Sequence, residues 1–239
     1  MKYMGGKAKI ANDIIDIILK NRFGEQLYWE PFVGGCNLID KISGKRMASD
    51  NNVYLIEMWK KLSDCHNDLP KLIDKQLYNE ARDNYNGKIN TMPIYLIGWI
   101  GFMASFNGRF FDGGYSGITD KRNYIDEQIR NTLKQVDQIK DINFLYGTYY
   151  EISKKLTEPT LIYCDPPYKN TKQYSTSKNF NHDDFWEWCR NMNEQGHTVY
   201  ISEYNAPDDF VCVWQKEITN SMATKNTYKP IEKLFIYGK

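Results

Sequence analysis

The stretch that most constrains this chain is Leu161-Ile162-Tyr163-Cys164-Asp165-Pro166-Pro167-Tyr168. Its first four residues are apolar or weakly polar and rich in strand formers, the pattern of a buried strand in an α/β protein. The bend that follows is stiff, because each proline fixes its own φ and Pro167 also restricts Pro166. It holds one carboxylate and one ring at the strand's carboxyl end, where open α/β sheets bind ligands. The same residues also describe an ordinary strand closed by a proline turn. Cys164 lies on the opposite side of the strand from Asp165, which argues against a thiol nucleophile there.

Attack by an exocyclic base amine is the chemistry these residue types suit. The N6 lone pair of adenine is delocalised into its ring, so the amine is a poor nucleophile. The Asp165 carboxylate and the Pro166 carbonyl are two acceptors for its two hydrogens, and can turn the lone pair toward an electrophile. Tyr168 offers a ring on which an extruded base stacks, an interaction of ~1–3 kcal/mol per base.

Upstream, Lys2-Tyr3-Met4-Gly5-Gly6-Lys7 precedes an amphipathic helix marked by Ile10, Ile14, Ile15, Ile18 and Leu19. Glycines ahead of a helix let backbone approach a ligand closely. A lysine at a helix start opposes the helix dipole, so Lys7 either serves an anion such as a carboxylate or is simply solvated. Residues 26–30 read as a strand, followed by Pro31-Phe32-Val33-Gly34-Gly35-Cys36 and a helix expected from about Asn37. Strand, glycine turn and helix form a nucleotide-binding unit, but the three-glycine dinucleotide pattern is missing. A second strand, 46–50, ends in Asp50, about twenty residues after Glu30, the spacing at which such folds place a carboxylate on ribose hydroxyls. Asp50 is also a candidate cap for the helix that begins near Asn52.

From Val53 the pattern turns helical. A polar section covers 78–90, and an apolar helix is expected near Ile94–Ala104. The loop Ser105–Gly117 sets Asn107, Arg109 and Tyr115 among glycines and aromatics. Asn and Arg are types that read base edges, while Lys121 and Arg122 suit phosphate. A glycine-rich hairpin with packed aromatics explains the same loop. Residues 141–149 read as a strand and turn, and residues 169–179 as a polar lid carrying Tyr174. A helix is expected over His182–Asn193, a strand over His197–Glu203, and two antiparallel edge strands at Phe210–Trp214 and Glu232–Tyr237.

Asp165-Pro166-Pro167-Tyr168 resembles the D-P-P-Y motif of amino-group DNA methyltransferases. The Lys2–Lys7 segment and Glu30-Pro31-Phe32-Val33-Gly34 resemble two cofactor-binding motifs of the Dam-like, alpha-class adenine N6-methyltransferases, in the same order along the chain. The resemblance implies an S-adenosylmethionine-dependent, Rossmann-like mixed sheet with helices on both faces. It implies a catalytic domain of 1–56 and 134–239, interrupted by a mostly helical target-recognition region of 57–133. It implies cofactor contacts from Tyr3, Gly6, Lys7, Pro31, Phe32, Gly34, Gly35, Asp50, Tyr149 and Asp165, catalysis by Asp165, Pro166 and Tyr168, and DNA contacts from Asn107, Arg109, Tyr115, Lys121, Arg122 and Tyr174. Asn107-Gly108 is similar to an Asn-Gly of the Dam-type loop, although the residues after it depart from that pattern. Many relatives carry an acid before the aromatic near the cofactor's adenine, where this chain has Thr148-Tyr149. The implied partners are double-stranded DNA, S-adenosylmethionine and a separately acting restriction endonuclease.

Composition sets outer bounds. A formal net charge of +1 announces no polyanion partner in bulk, so DNA binding would need its cations gathered on one face. Five scattered cysteines without a C-x-x-C pair fit reduced thiols, and three histidines without paired spacing disfavour a metal site. The start has no signal-peptide core and no apolar run reaches ~20 residues, so a cytoplasmic protein without a membrane span is expected. Methylation of RNA adenine or of cytosine N4, and a non-catalytic DNA-binding relative, are the alternatives to an adenine DNA methyltransferase.

Overall fold

The computed structural model describes residues 1–119, 122–169, 179–218 and 230–238. In chain order, helix α1 (Ala11–Ile18) precedes strands β1 (Tyr28–Glu30) and β2 (Arg46–Asp50), then helices α2 (Val53–Asp64), α3 (Lys75–Tyr85) and α4 (Ile94–Ala104). A small hairpin, β3 (Ile118–Thr119) and β4 (Arg122–Asn123), leads to α5 (Tyr124–Leu133), α6 (Val136–Ile139), β5 (Ile142–Tyr146) and α7 (Tyr149–Ser153). The chain ends with β6 (Leu161–Cys164), α8 (His182–Glu194), β7 (Thr198–Glu203), β8 (Phe210–Glu217) and β9 (Ile231–Tyr237).

Seven strands form one mixed sheet in the order β5-β2-β1-β6-β7-β9-β8. The five strands from β5 to β7 are parallel, and β9 pairs antiparallel with both β7 and β8. The chain winds outward from β1 through β2 to β5, then crosses back to place β6 on the other side of β1. The strand order therefore reverses between β1 and β6, and the crevice at that reversal is where open sheets place ligands. It brings the loops after Glu30 and after Cys164 side by side.

Alternation along the strands divides the core in two. Tyr28, Ala48, Phe144, Leu161, Tyr163 and Tyr200 pack on one face with α1, α2, α4 and α5. Trp29, Met47, Ile162, Cys164, Val199 and Ile201 pack on the other against Phe185, Trp186, Trp188 and Cys189 of α8. The helices of 57–133 share the first of these clusters with the sheet instead of closing a core of their own. Helix α4 is apolar nearly all round because Ile97–Ala104 are buried throughout.

Several local expectations change. The strand expected over 26–30 begins at Tyr28, because the Arg22 guanidinium holds the Gln26 carbonyl in a turn. No helix starts at Asn37, where only a short 3-10 turn, Ile39–Lys41, forms. Side chains have taken the carbonyls that a helix would use: Gln135 binds those of Gly35 and Cys36, Lys41 that of Asn37, and Arg46 that of Ile39. Cys36 also stands at φ +53°, outside helical backbone. The polar section 78–90 is largely helix, since Asp74 caps α3 by accepting the Leu77 N–H and Tyr78 and Ala81 give it a buried side. Asp50 does not cap α2, because Asn52 does, accepting from the N–H groups of Tyr54 and Leu55. Lys7 lies in a turn ahead of α1, not at its start. No described helix is long and apolar enough to cross a membrane.

Glu30, at the end of β1, is buried and accepts a hydrogen bond of 2.8 Å from the Tyr28 hydroxyl. Burial lifts its carboxyl from an ordinary 4.5 to about 8, with the Tyr28 hydroxyl opposing. Between those values the native state holds a proton that the unfolded chain has lost, so stability declines as pH rises across that interval. Glu30→Gln, which keeps an acceptor for Tyr28, is expected to flatten this decline. Thermal unfolding from pH 5 to 8 checks it, and parallel curves for the two proteins would refute it.

Candidate active site

Asp165 leaves β6 at the strand-order reversal, and its side chain is 22% exposed. The Lys7 ammonium sits 2.8 Å from its Oδ1 and 3.1 Å from Oε1 of Glu232 on β9. It also lies 4.6 Å from the centre of the Tyr168 ring. The Tyr168 hydroxyl donates to Glu232, and the ring meets Tyr204 edge-on at 4.8 Å. Sequence reasoning credits Tyr168 with its ring alone; in the folded protein its hydroxyl also holds a buried carboxylate.

Electrostatics follow from this burial. Desolvation pulls the Lys7 ammonium down, but Asp165 and Glu232 outweigh it and hold the group above an ordinary lysine. Burial pushes the Asp165 carboxyl up from its ordinary range, with Lys7 opposing and Glu232 reinforcing the rise. Glu203 closes β7 nearby and accepts the N–H groups of Lys169 and Tyr204 at 3.1 and 2.7 Å. Burial lifts its carboxyl to about 7.

A second group of residues surrounds the turn after β1. Gly34 has φ +45°, and a Cβ there would stand 2.9 Å from the Tyr3 ring, so glycine lets the amino-terminal segment lie flat on the turn. Its N–H donates to Asp50 at 3.3 Å, and its carbonyl accepts from the Trp59 indole at 2.9 Å. Gly6 and Gly35 both crowd the Asn37 amide. Asp50 also accepts the Asn52 N–H, and burial lifts its carboxyl to about 6. Pro31 is buried behind this turn.

Phe32 begins an aromatic box, with ring centres 5.5 Å from Tyr149, 5.8 Å from Phe180 and 5.8 Å from Phe185. Tyr149 opens α7 behind the Thr148–Glu151 capping box and packs edge-on against Trp188 at 4.9 Å. Burial pushes its hydroxyl up to about 12. The expected residues thus gather into three contiguous groups at the carboxyl ends of β1, β2 and β6: Tyr3 with Gly34, Gly35 and Asp50; Phe32 with Tyr149; Lys7 with Asp165 and Tyr168.

The loop after α4 meets these groups through the amino-terminal segment. Asn107 has φ +57°, and the close approach of Gly108 to the Lys2 carbonyl seats the loop on the amino-terminal segment. Arg109 is half-buried. Tyr115 donates to the Ile73 carbonyl at 2.9 Å and packs on Tyr78, so this ring and hydroxyl are engaged in holding the loop. The Arg122 guanidinium pairs with Glu127 through two bonds of 2.6 and 2.7 Å. Lys121, Tyr174 and most of the 169–179 lid fall outside the described residues.

Glu232 and Glu203 were not among the expected site residues. A signal for Glu232 existed: in Glu232-Lys233-Leu234-Phe235-Ile236 strand alternation puts an acid on the face of Leu234, which is fully buried. A cavity of about 530 Å³ adjoins the site, lined among others by Lys169, His182, Trp186, Glu203, Tyr204 and Asn205. Among the described residues no group of His, Cys, Asp and Glu could hold a metal ion.

The family model for D12 class N6 adenine-specific DNA methyltransferases matches residues 3–229. The chain belongs to this family. Among curated proteins it is similar to the "Modification methylase StsI" of Streptococcus sanguinis, at 24% identity over 200 residues. The match covers 74% of this chain and 30% of that protein, so the chain spans under a third of the relative's length. The family's description is that of enzymes that methylate the N6 amine of adenine in DNA.

Gly34→Ala tests the turn on which this D12 class site is built. It forces a side chain into left-handed backbone, at a cost of roughly 1–2 kcal/mol, and into the Tyr3 ring. Urea denaturation is expected to report a loss of at least that order; wild-type stability would show that the turn is not strained in this way.

Proposed function

We infer that this protein transfers a methyl group from S-adenosyl-L-methionine to the N6 amine of an adenine extruded from double-stranded DNA. The observation that supports this most directly is the Asp165 carboxylate. It is partly exposed and paired with a buried cation, at the strand-order reversal between the turn after β1 and the stiff Asp-Pro-Pro-Tyr bend.

The residues beside it fit the proposed donor. A buried carboxylate at the end of β2, Asp50, suits the two hydroxyls of a ribose, and the Phe32–Tyr149–Phe180–Phe185 box suits an adenine ring. Tyr3, Gly6, Lys7, Pro31, Gly34, Gly35 and Asp165 are the further residues assigned to the donor. S-adenosyl-L-methionine, when bound, supplies a methyl group on a positively charged sulfur for direct attack by the amine. Asp165 accepts one N–H of that amine and the Pro166 carbonyl the other, which frees the lone pair from the ring. Tyr168 packs against the base. As the nitrogen gains positive charge, the Asp165 carboxylate stabilises it electrostatically before the proton is released. Target recognition is assigned to 57–133, with base contacts given to Asn107 and Arg109 and phosphate contacts to Lys121 and Arg122, and a further DNA contact is assigned to Tyr174 outside that region. Cytoplasmic placement and a separately acting endonuclease accord with a modification enzyme.

Transfer requires an ionised Asp165. Because burial raises its carboxyl above the ordinary aspartate value of 3.8, the rate is expected to fall with falling pH through that raised value. Asp165→Asn should lose transfer by about 10²–10⁴-fold while still binding the donor. Long-read mapping of N6-methyladenine in DNA from expressing cells, with donor titration in parallel, decides the matter. Unmodified adenine beside active wild-type protein, or a variant as active as wild type, would overturn the assignment.

A further inference from the structure

Glu232 is 2% exposed and lies on the last strand of the sheet, far in sequence from every motif that marks the site. It contacts two of the groups that the proposed reaction uses. It shares Lys7 with Asp165, at 3.1 Å against 2.8 Å, and it accepts the Tyr168 hydroxyl. One cation therefore faces two carboxylates. The Lys7 ammonium lies within hydrogen-bonding distance of the Asp165 oxygen and over the Tyr168 ring, the two features assigned to the target base. A base amine that takes Oδ1 of Asp165 displaces Lys7 from that oxygen. A lysine so buried cannot give up a counter-ion without a large desolvation cost unless a second one is in place.

We propose that Glu232 is a positioning residue for methyl transfer: a standing second counter-ion that retains Lys7 when the target amine takes Asp165. This rests on the amine-methylating reading of the site. Lys7 needs no large movement, since it already touches both carboxylates. It keeps the contact with Glu232 and surrenders the one with Asp165. The bond from Tyr168 keeps Glu232 oriented for this, and its place on β9, between β7 and β8, anchors it in the sheet. Charge balance makes the idea specific. Removing the charge of Glu232 alone leaves Lys7 locked on Asp165, and the fraction of protein competent to receive the amine falls in proportion.

The test compares wild type, Glu232→Gln and Glu232→Asp, measuring S-adenosylmethionine binding and the kcat and KM for adenine-containing DNA. Glutamine keeps an acceptor for the Tyr168 hydroxyl, so it removes charge with little change of shape, while aspartate keeps the charge. Glu232→Gln is expected to bind the donor normally and to lose about tenfold or more in kcat/KM for DNA. Glu232→Asp is expected to recover most of that loss. A wild-type kcat/KM in Glu232→Gln would overturn the proposal, and so would a Glu232→Asp as impaired as Glu232→Gln, which would make Glu232 merely structural. If Glu232→Gln fails to bind the donor, Glu232→Asp decides: donor binding with transfer supports the proposal, and donor binding without transfer overturns it. Absence of transfer by wild-type protein would instead overturn the proposed function, so the two failures are distinct.

Discussion

A buried lysine held between two carboxylates ties together the parts of this molecule that sequence keeps apart. Lys7 comes from the amino-terminal segment, Asp165 from the bend after β6, and Glu232 from β9. Such a group is an uncertain source of net stability, because desolvating three charges offsets much of their attraction. Removing one member is another matter, and costs ~3–5 kcal/mol by stranding the rest. The arrangement is thus a constraint more than a reserve of stability: β9 must enter between β7 and β8, and the amino terminus must cross the crevice, for all three charges to be matched.

The amino-terminal segment is also where the inserted helices meet the site. The Lys2 carbonyl accepts from the Gln128 amide of α5 and faces Gly108 of the loop after α4. Tyr3 lies on Gly34 and near Phe102 of α4. Gly34 in turn joins Asp50 and Trp59 of α2. A continuous run of contacts therefore leads from the Asn107 loop through residues 2 and 3 to the glycine turn, and along the same segment to Lys7. The helices of 57–133 share the sheet's hydrophobic cluster and so form one packed body with it.

What the sequence made legible was local. The strand Leu161–Cys164, its proline bend, the strand ending at Asp50 and the apolar helix before Ser105 each declare themselves within a short window of residue types. The failures have one cause, which is that distant side chains overrode local pattern. A helix after Asn37 was a fair reading until Gln135, Lys41 and Arg46 claimed its carbonyls. Asp50 looked like a helix cap, but Asn52 stood closer to the helix and took that role. Lys7 could be read as serving an anion, while the identity of its partners depended on strand order, which no window of sequence contains. Glu232 betrayed itself only as an acid on an apolar strand face.

The charge pattern around the crevice bears on what can enter it. Glu30, Asp165, Glu203 and Glu232 cluster at the strand ends, and among the described residues Lys7 alone forms an ion pair with any of them. Burial lifts Glu30 to about 8 and Glu203 to about 7, so near neutrality both are substantially protonated, and the negative charge concentrates on the pair that shares Lys7. Such a site repels phosphate and favours a cation or a neutral base bearing N–H groups. Were DNA to bind with its backbone at this crevice, the field would oppose it. On the proposed reading, the backbone runs along other surfaces while a single base, detached from the stack, reaches the carboxylates.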